Sequence, residues 1–265
     1  MIHRYAELLP DELASLWQTK PIAISAWGAL EWHGPHLPLG LDGLVAEHFA
    51  ERLAEQTGGV LLPTVWLPIT ALPHPFSLSM QSEVVKEIWH NWLSGLYDAG
   101  ARVICLITGH YAQGHEIELY RASLQAMDEH HDLCVISSTP LEVLGNDDYL
   151  DHAGRWETAQ LLAVRPDLVH LEKFPGMLGS KQVAVLGDDP RQAKREEGET
   201  LLREALSRWT QWIEQWFSDR KQQPLRDFYE ERLKVYEEYV QRYFSGSWEE
   251  AIQQWWATRC EADPQ

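Results

Sequence analysis

Acidic and imidazole side chains are concentrated in one glycine- and proline-rich stretch, residues 28–42, which contains Glu31, His33, His36 and Asp42. Glu31 and His33 are two residues apart, and in an extended segment such residues point the same way. Carboxylate and imidazole groups suit zinc, manganese or ferrous iron. Singly, Asp42 would more often be a helix cap and a histidine more often structural. Their combination in one shaped loop predicts a metal site.

A second histidine-containing segment follows the clearest apolar run of the chain. Residues 103–107 are continuously apolar, which is typical of a strand covered on both faces, and His110 comes just after them. We expect His115 and Glu116 to be exposed residues of the next helix. Their spacing does not match H-E-x-x-H, which argues against a zincin site.

A third segment, residues 151–159, contains His152 and Glu157 on either side of a glycine turn. Five residues apart at the start of a helix, the two side chains can face one pocket. Alone, Glu157 would more often be a first-turn residue that the helix dipole favours.

Short apolar runs alternate with helical patterns through the first two thirds of the chain. We predict helices over 42–56, 81–99 (with Ser79 or Ser82 as the N-cap) and 113–130, and strands over 21–27, 60–67, 103–107, 133–136 and 183–186. This alternation predicts an α/β fold, a three-layer α/β/α sandwich with a mainly parallel sheet. Ligands of such sheets bind beyond the carboxyl ends of the strands.

Helical patterns continue to the end of the chain, over 202–216, 225–244 and 248–256. We expect one domain, which carries the predicted metal site, over residues 1–218 and a tryptophan-rich helical extension over residues 219–265. Six of the thirteen tryptophans lie beyond residue 205. Because aromatic residues are enriched at interfaces, the extension could form a subunit contact or pack on its own body, and the pattern leaves both open.

The composition of the chain argues against some classes of binding partner. A net charge of −18 argues against nucleic acid, because the phosphate backbone would be repelled. No apolar run is long enough to span a bilayer, and the first residues do not resemble a signal peptide. The cysteines Cys105, Cys134 and Cys260 are scattered, without CxxC spacing. We therefore expect a cytoplasmic protein with no nucleic-acid or membrane partner, and composition says little about the small-molecule substrate.

Residues 28–42 resemble the signature of the creatininase (creatinine amidohydrolase) family. Residues 108–110 are similar to the family's Asn-Gly-His, residues 151–158 to its His-Ala-Gly…Glu-Thr segment, and residues 187–193 to its Gly-Asp-Pro turn. The resemblance implies an α/β/α fold and two divalent metal ions (Zn, Mn or Fe). It also implies a homo-oligomer, a hexamer as in the family. The implied reaction is hydrolysis of a C–N amide bond in a cyclic amide or formamide by a metal-activated water.

The resemblance also implies roles for single residues. Glu31 and His110 would bind one ion, His33 would bind the other, and Asp42 would bridge them. His152 would be a catalytic proton shuttle. Tyr111 and His36 would contact substrate.

One position departs from creatininase itself. Creatininase has a further glutamate ligand two residues after the histidine that matches His110, whereas this chain has Ala112 there. Glu157 is the candidate replacement as a ligand and catalytic residue, and Glu116 is a weaker one. The departure leaves two alternatives open: hydrolysis of a cyclic sugar-derived ketone at the same site, or an inactive family member.

Overall fold

The sheet of this computed structural model, which describes residues 2–262, has five parallel strands. They are β1 His3–Arg4, β2 Ile22–Trp27, β3 Val60–Leu61, β4 Val103–Thr108 and β5 Cys134–Ser138. The helices of the described residues are α1 Pro10–Thr19, α2 Leu41–Thr57, α3 Ser82–Asp98, α4 Gln113–Glu129, α5 Arg155–Val164, α6 Ser180–Val183, α7 Arg195–Asp219, α8 Gln223–Val235, α9 Glu237–Tyr243 and α10 Trp248–Ala262.

The strand order β1-β3-β2-β4-β5 creates a crevice at the site. The chain leaves β2 toward β3 on one side, and it leaves β4 toward β5 on the other. Because parallel connections are right-handed, α2 covers one face, where α5 and α7 pack on it, while α3 and α4 pack together on the other. Connections that diverge in this way open a crevice at the carboxyl ends of β2 and β4, where ligands bind in such sheets.

The three-layer sandwich is confirmed, but two predicted strands are wrong in extent or type. Of the predicted strand 60–67, only Val60–Leu61 forms a continuous ladder with the sheet, and Val65 adds an isolated bridge to Trp27. Pro63, which lies between them, has no N–H to donate to a ladder. The predicted strand 183–186 does not form. Helix α6 ends there at Val183, and the next residue, Ala184, has a left-handed φ of 56° that interrupts an extended run. Leu186 makes only an isolated bridge to His152.

Helix boundaries differ at two further places. The N-cap of α3 is Gln81, and neither predicted serine caps the helix with its side chain, because Ser82 is already helical. The predicted helix 225–244 is divided at Tyr236 into α8 and α9. None of the helices described between residues 2 and 262 has the length and apolar character needed to cross a lipid bilayer.

The C-terminal extension packs on its own body. Leu225, Tyr229 and Trp248 are buried in the same apolar cluster as the central strands. The Tyr229 hydroxyl donates to the Val135 carbonyl of β5 at 2.7 Å. Packing of the extension on its own body, one of the two alternatives left open by the sequence, is therefore observed. A subunit contact and a domain boundary after residue 218 stay predictions.

Glycines at the strand ends let α2 approach the sheet. A Cβ on Gly109 would lie 2.0 Å from the Asp42 carbonyl oxygen, and a Cβ on Gly28 would lie 2.2 Å from Gly43 Cα. Side chains at these two positions would push α2 outward. The lack of side chains at Gly28 and Gly109 therefore allows the Asp42 carboxylate to reach its position.

We expect Gly109→Ala to destabilise the protein by about 1–3 kcal/mol, the usual cost of overpacking a dense site. It should also lower the amount of metal retained, since Asp42 must move. Urea unfolding and elemental analysis measure the two effects. Gly95→Ala is the control, because a Cβ on exposed Gly95 meets nothing within 4 Å. Equal stability and metal content in the two variants would contradict the close-approach argument.

Candidate metal centre

Five predicted ligands converge at the crevice. Glu31 and His33 lie in the loop after β2, and His110 follows β4. Asp42 is in the first turn of α2, and Glu157 is in the first turn of α5. All five side chains are buried. Residues from four separate parts of the chain therefore meet at the carboxyl edge of the sheet.

The Asp42 carboxylate lies between two histidines. Its Oδ1 is 2.9 Å from His33 Nε2, and its Oδ2 is 3.2 Å from His110 Nδ1. Glu31 Oε2 lies 2.9 Å from the same His110 nitrogen, and Glu157 Oε2 lies 3.6 Å from the same His33 nitrogen. The arrangement is two clusters that share one carboxylate.

The donor atoms suit divalent cations. Glu31 Oε2, His33 Nε2 and both Asp42 oxygens are buried, and none of them makes a hydrogen bond of acceptable geometry to another described residue. Buried polar atoms are rarely left so. Among the described residues, three sets have ligand atoms within 4.8 Å of one another: Glu31, Asp42 and His110; His33, Asp42 and Glu157; Glu31, His33 and His152. Oxygen and imidazole donors of this kind fit zinc, manganese or iron.

Backbone carbonyls orient three histidines. A carbonyl only accepts, so the ring nitrogen facing it carries a proton, and the other nitrogen is the one that can bind an ion once it is deprotonated. The pairs are His33 Nδ1 with the Glu31 carbonyl, His110 Nε2 with the Ile69 carbonyl and His152 Nε2 with the Trp32 carbonyl, each at 3.0 Å. The remaining nitrogens of His33 and His110 are the ones that face Asp42.

The start of α5 holds Glu157 in place. Glu157 Oε2 accepts a hydrogen bond from Ala153 N at 2.6 Å. Asp151 accepts from the backbone N–H groups of Trp156 and Glu157, at 2.8 and 3.0 Å, and so caps the helix. Sequence reasoning did not assign Asp151 this role, although an aspartate a few residues ahead of a helix is a recognisable capping signal.

His115 and Glu116 are buried, and the expectation that they are exposed is wrong. His115 Nε2 lies 3.2 Å from Thr108 Oγ1, and its ring meets that of His110 edge-on. Glu116 Oε2 accepts from the Tyr236 hydroxyl at 2.9 Å, because helix packing by the extension covers this face of α4. Glu116 belongs to none of the three ligand sets, whereas Glu157 belongs to one.

A cavity of about 240 Å³ opens over the cluster, and Glu31, His110 and His152 line it together with Tyr111 and Ala112. Tyr111 therefore lies where a substrate contact is predicted. His36 does not line this cavity. Its Nε2 donates to the Ala153 carbonyl at 3.1 Å, and its ring packs against Phe174. The structure thus does not bring His36 to the predicted substrate site.

Nearby carboxylates, burial and neighbouring charges shift the pKa values of three histidines. Burial lowers the pKa of His33, but Asp42 and Glu157 outweigh it and raise the pKa to about 10. The pKa of His110 is likewise raised well above its usual value, because Glu31 and Asp42 overcome desolvation. The pKa of His152 is lowered to about 4, by burial and then by the charge of His33.

Comparison with known proteins places the chain in a family. It matches the creatininase (creatinine amidohydrolase) family over residues 6–213. The chain belongs to the creatininase family, and it is a hydrolase of that family. This match covers the α/β/α body and ends within α7, before the extension.

Two curated relatives are similar to this creatininase-family chain at low identity. The creatinine amidohydrolase of Pseudomonas putida is 28% identical over 171 residues, 55% of this chain and 65% of that relative. The chain therefore spans just under two thirds of that relative's length. A mycofactocin precursor peptide peptidase of Mycolicibacterium smegmatis is 24% identical over 229 residues, 76% of this chain and 87% of that protein.

Solved structures share the fold. A creatinine amidohydrolase (creatininase) crystal structure has a TM-score of 0.71 at 21% identity, covering 81% of this chain and 97% of that one. A creatinine amidohydrolase-like protein from Bacteroides fragilis has a TM-score of 0.63 at 21% identity, covering 80% of this chain and 95% of the other. These likenesses support the same three-layer architecture.

Metal binding should release protons. The pKa of His33 is about 10 in the metal-free chain, so at neutral pH a ligating nitrogen carries a proton that an ion must displace. Affinity should therefore rise with pH until about pH 10. Calorimetric titration of Zn²⁺ or Mn²⁺ in buffers of different ionisation enthalpy measures the release. His33→Ala should release fewer protons, and a pH-independent affinity would contradict the charge assignment.

Glu157→Gln should lose about half of the bound metal, because it removes an anionic ligand atom from one of two clusters. Glu116→Gln is the matched control, since it is also buried but can still accept a hydrogen bond from Tyr236. Elemental analysis of both purified variants measures metal content. Loss in Glu116→Gln with retention in Glu157→Gln would reverse the assignment.

Proposed function

We propose that this protein is a metal-dependent amidohydrolase that hydrolyses a C–N amide bond of a small molecule, either a cyclic amide or a formamide. The observation that carries the proposal is the buried Asp42 carboxylate, whose two oxygens face two histidines, each with a second carboxylate beside it. Glu31 and His110 of one cluster also line the cavity. Two bound divalent ions would supply a water whose pKa is lowered to about 7 and a Lewis acid for the amide carbonyl.

Each cluster would hold one ion. Glu31 and His110 would ligate the first, His33 and Glu157 the second, and Asp42 would bridge the two. Solved relatives are described as a Zn-Zn type creatininase and as a Mn creatininase, which supports zinc or manganese, with iron as a further candidate. Ala112 contributes no ligand atom, so Glu157 replaces the missing carboxylate from another helix.

His152 is the proposed proton carrier. Its Nε2 donates to the Trp32 carbonyl, which leaves the lone pair on Nδ1. Because its pKa is lowered to about 4, the ring is neutral at pH 7 and can take a proton from the attacking water. The same nitrogen can then deliver it to the leaving amine. Tyr111 lines the cavity with a pKa raised by burial, so its hydroxyl stays protonated and can donate to substrate.

The names of the two curated relatives support an amide substrate. One acts on creatinine, a cyclic amide, and the other is named a peptidase, so a C–N amide bond is common to both. Hydrolysis of a cyclic sugar-derived ketone remains the alternative on the same metal site. The retained ligand cluster argues against an inactive family member.

The test compares metal-depleted with Zn²⁺- or Mn²⁺-reconstituted protein on cyclic amides, formamides and cyclic ketones. We expect turnover of an amide only with metal. His152→Ala should retain metal and lose about 10²–10⁴-fold in kcat, the usual contribution of a positioned acid–base group. Metal loss in this variant would instead assign His152 as a ligand. Ketone turnover without amide turnover would support hydrolysis of a cyclic ketone, and no turnover of any probe would favour an inactive family member.

The expected partners stay predictions. A homo-oligomer is consistent with apolar side chains that remain exposed near the site loop, where Phe76 is 65% and Leu78 51% exposed. The acidic surface makes nucleic acid an unfavourable partner, as expected from a net charge of −18.

A further inference from the structure

The C-terminal extension forms one wall of the cavity over the metal cluster. Tyr239 of α9 and Trp255 and Arg259 of α10 line the same cavity as His110 and His152. These three side chains lie beyond residue 213, where the match to the family ends. The floor of the cavity is thus built by the family fold, and this wall is particular to the extension.

Two hydrogen bonds at the start of α10 fix this wall to the body. Trp248 Nε1 donates to Glu118 Oε1 at 2.9 Å, and the backbone N–H of Ser82 donates to Glu249 Oε1 at 2.6 Å. Trp248 itself is only 2% exposed. Because both contacts lie at the start of α10, they hold the helix that carries Trp255 and Arg259. Side chains on a fixed helix can act as preplaced recognition groups.

Arg259 is the single lysine or arginine among the described residues that line the cavity. Its guanidinium lies 5.9 Å from the centre of the Trp255 ring. It makes no ion pair or hydrogen bond with any residue in the described range 2–262. In a chain with 40 acidic and 22 basic residues, an arginine left without an acidic partner at a cavity wall is available for an anionic ligand.

We propose that Arg259 binds a carboxylate of the substrate at a point remote from the scissile amide. The planar guanidinium matches a carboxylate in bidentate geometry. The rings of Tyr239 and Trp255 offer apolar contact to the substrate atoms between that carboxylate and the amide. The substrate class is then a formamide or cyclic amide that also carries a free carboxylate, such as an N-formyl amino acid. This inference rests on the proposed amidohydrolase function.

Affinity for matched ligand pairs tests the subsite without requiring turnover. The probes are N-formyl-, N-acetyl- and N-benzoylglycine, each compared with its neutral C-terminal carboxamide, by calorimetry on the full-length Zn²⁺-loaded protein. Wild type should prefer at least one acid over its carboxamide by about tenfold, as expected for a charge-assisted hydrogen bond. Arg259→Gln should remove most of that preference, and Arg259→Lys should retain part of it.

Arg208→Gln is the matched control, since it removes one exposed positive charge from α7, away from the cavity. It should leave the preference unchanged. A preference that survives in Arg259→Gln would overturn the inference and assign the carboxylate to the metal ions. Absence of any preference in wild type would overturn it as well. Selective binding of the acids without hydrolysis would uphold the subsite and contradict the proposed reaction.

Discussion

The Asp42 carboxylate is the constraint on which the rest of the site depends. It is fully buried, and each of its oxygens faces a histidine nitrogen at 2.9 or 3.2 Å. A buried charge is stable only with compensating charge, and in the metal-free chain the protonated histidines supply it. Under the proposed function, metal ions would take over that compensation. On that proposal, metal binding at Asp42 would displace the protons of the histidines beside it.

The fold is arranged to put this carboxylate at the sheet edge. Gly28 and Gly109 remove the side chains that would keep α2 away from the ends of β2 and β4. The strand order places the same two ends on either side of a crevice. The N-terminus of α2, whose dipole favours an anion, thus meets the histidines that follow both strands.

The sequence predicts the features that depend on local pattern. Continuous apolar runs identify β2 and β4, and the residues just after them, His33 and His110, follow from strand topology. Burial of Glu116 is not predictable in this way, because it is covered by Tyr236, 120 positions away along the chain. The capping role of Asp151 is local, since it accepts from the N–H groups of Trp156 and Glu157 five and six positions on, but hydrophobic periodicity does not record such a contact. The left-handed φ of Ala184 has no signal in the periodicity either, because a residue other than glycine rarely adopts it.

The extension joins the body through a second set of buried charges. Arg232, only 8% exposed, lies 2.5 Å from the buried Glu142, and it also lies 2.8 Å from Asp147, whose side chain is 59% exposed. The Tyr236 hydroxyl lies between Glu116 and Glu142, at 2.9 and 3.0 Å. Such pairs add little net stability but are costly to break, because removing one partner leaves the other charge buried alone. These contacts therefore determine the position of the extension on the body more than they add to the stability of the protein.

Fixed docking gives the substitution at Ala112 a structural context. In creatininase itself a glutamate stands at this position, whereas here a methyl group lines the cavity beside Tyr111 and the extension supplies the facing wall. A carboxylate at Ala112 would add negative charge and volume where the cavity now has space. Its absence lowers the negative charge that an anionic substrate meets in the cavity, while Glu157 places a carboxylate oxygen 3.6 Å from His33 Nε2. The change at Ala112 and the cationic wall at Arg259 thus alter the same property, the charge that the cavity presents to its ligand.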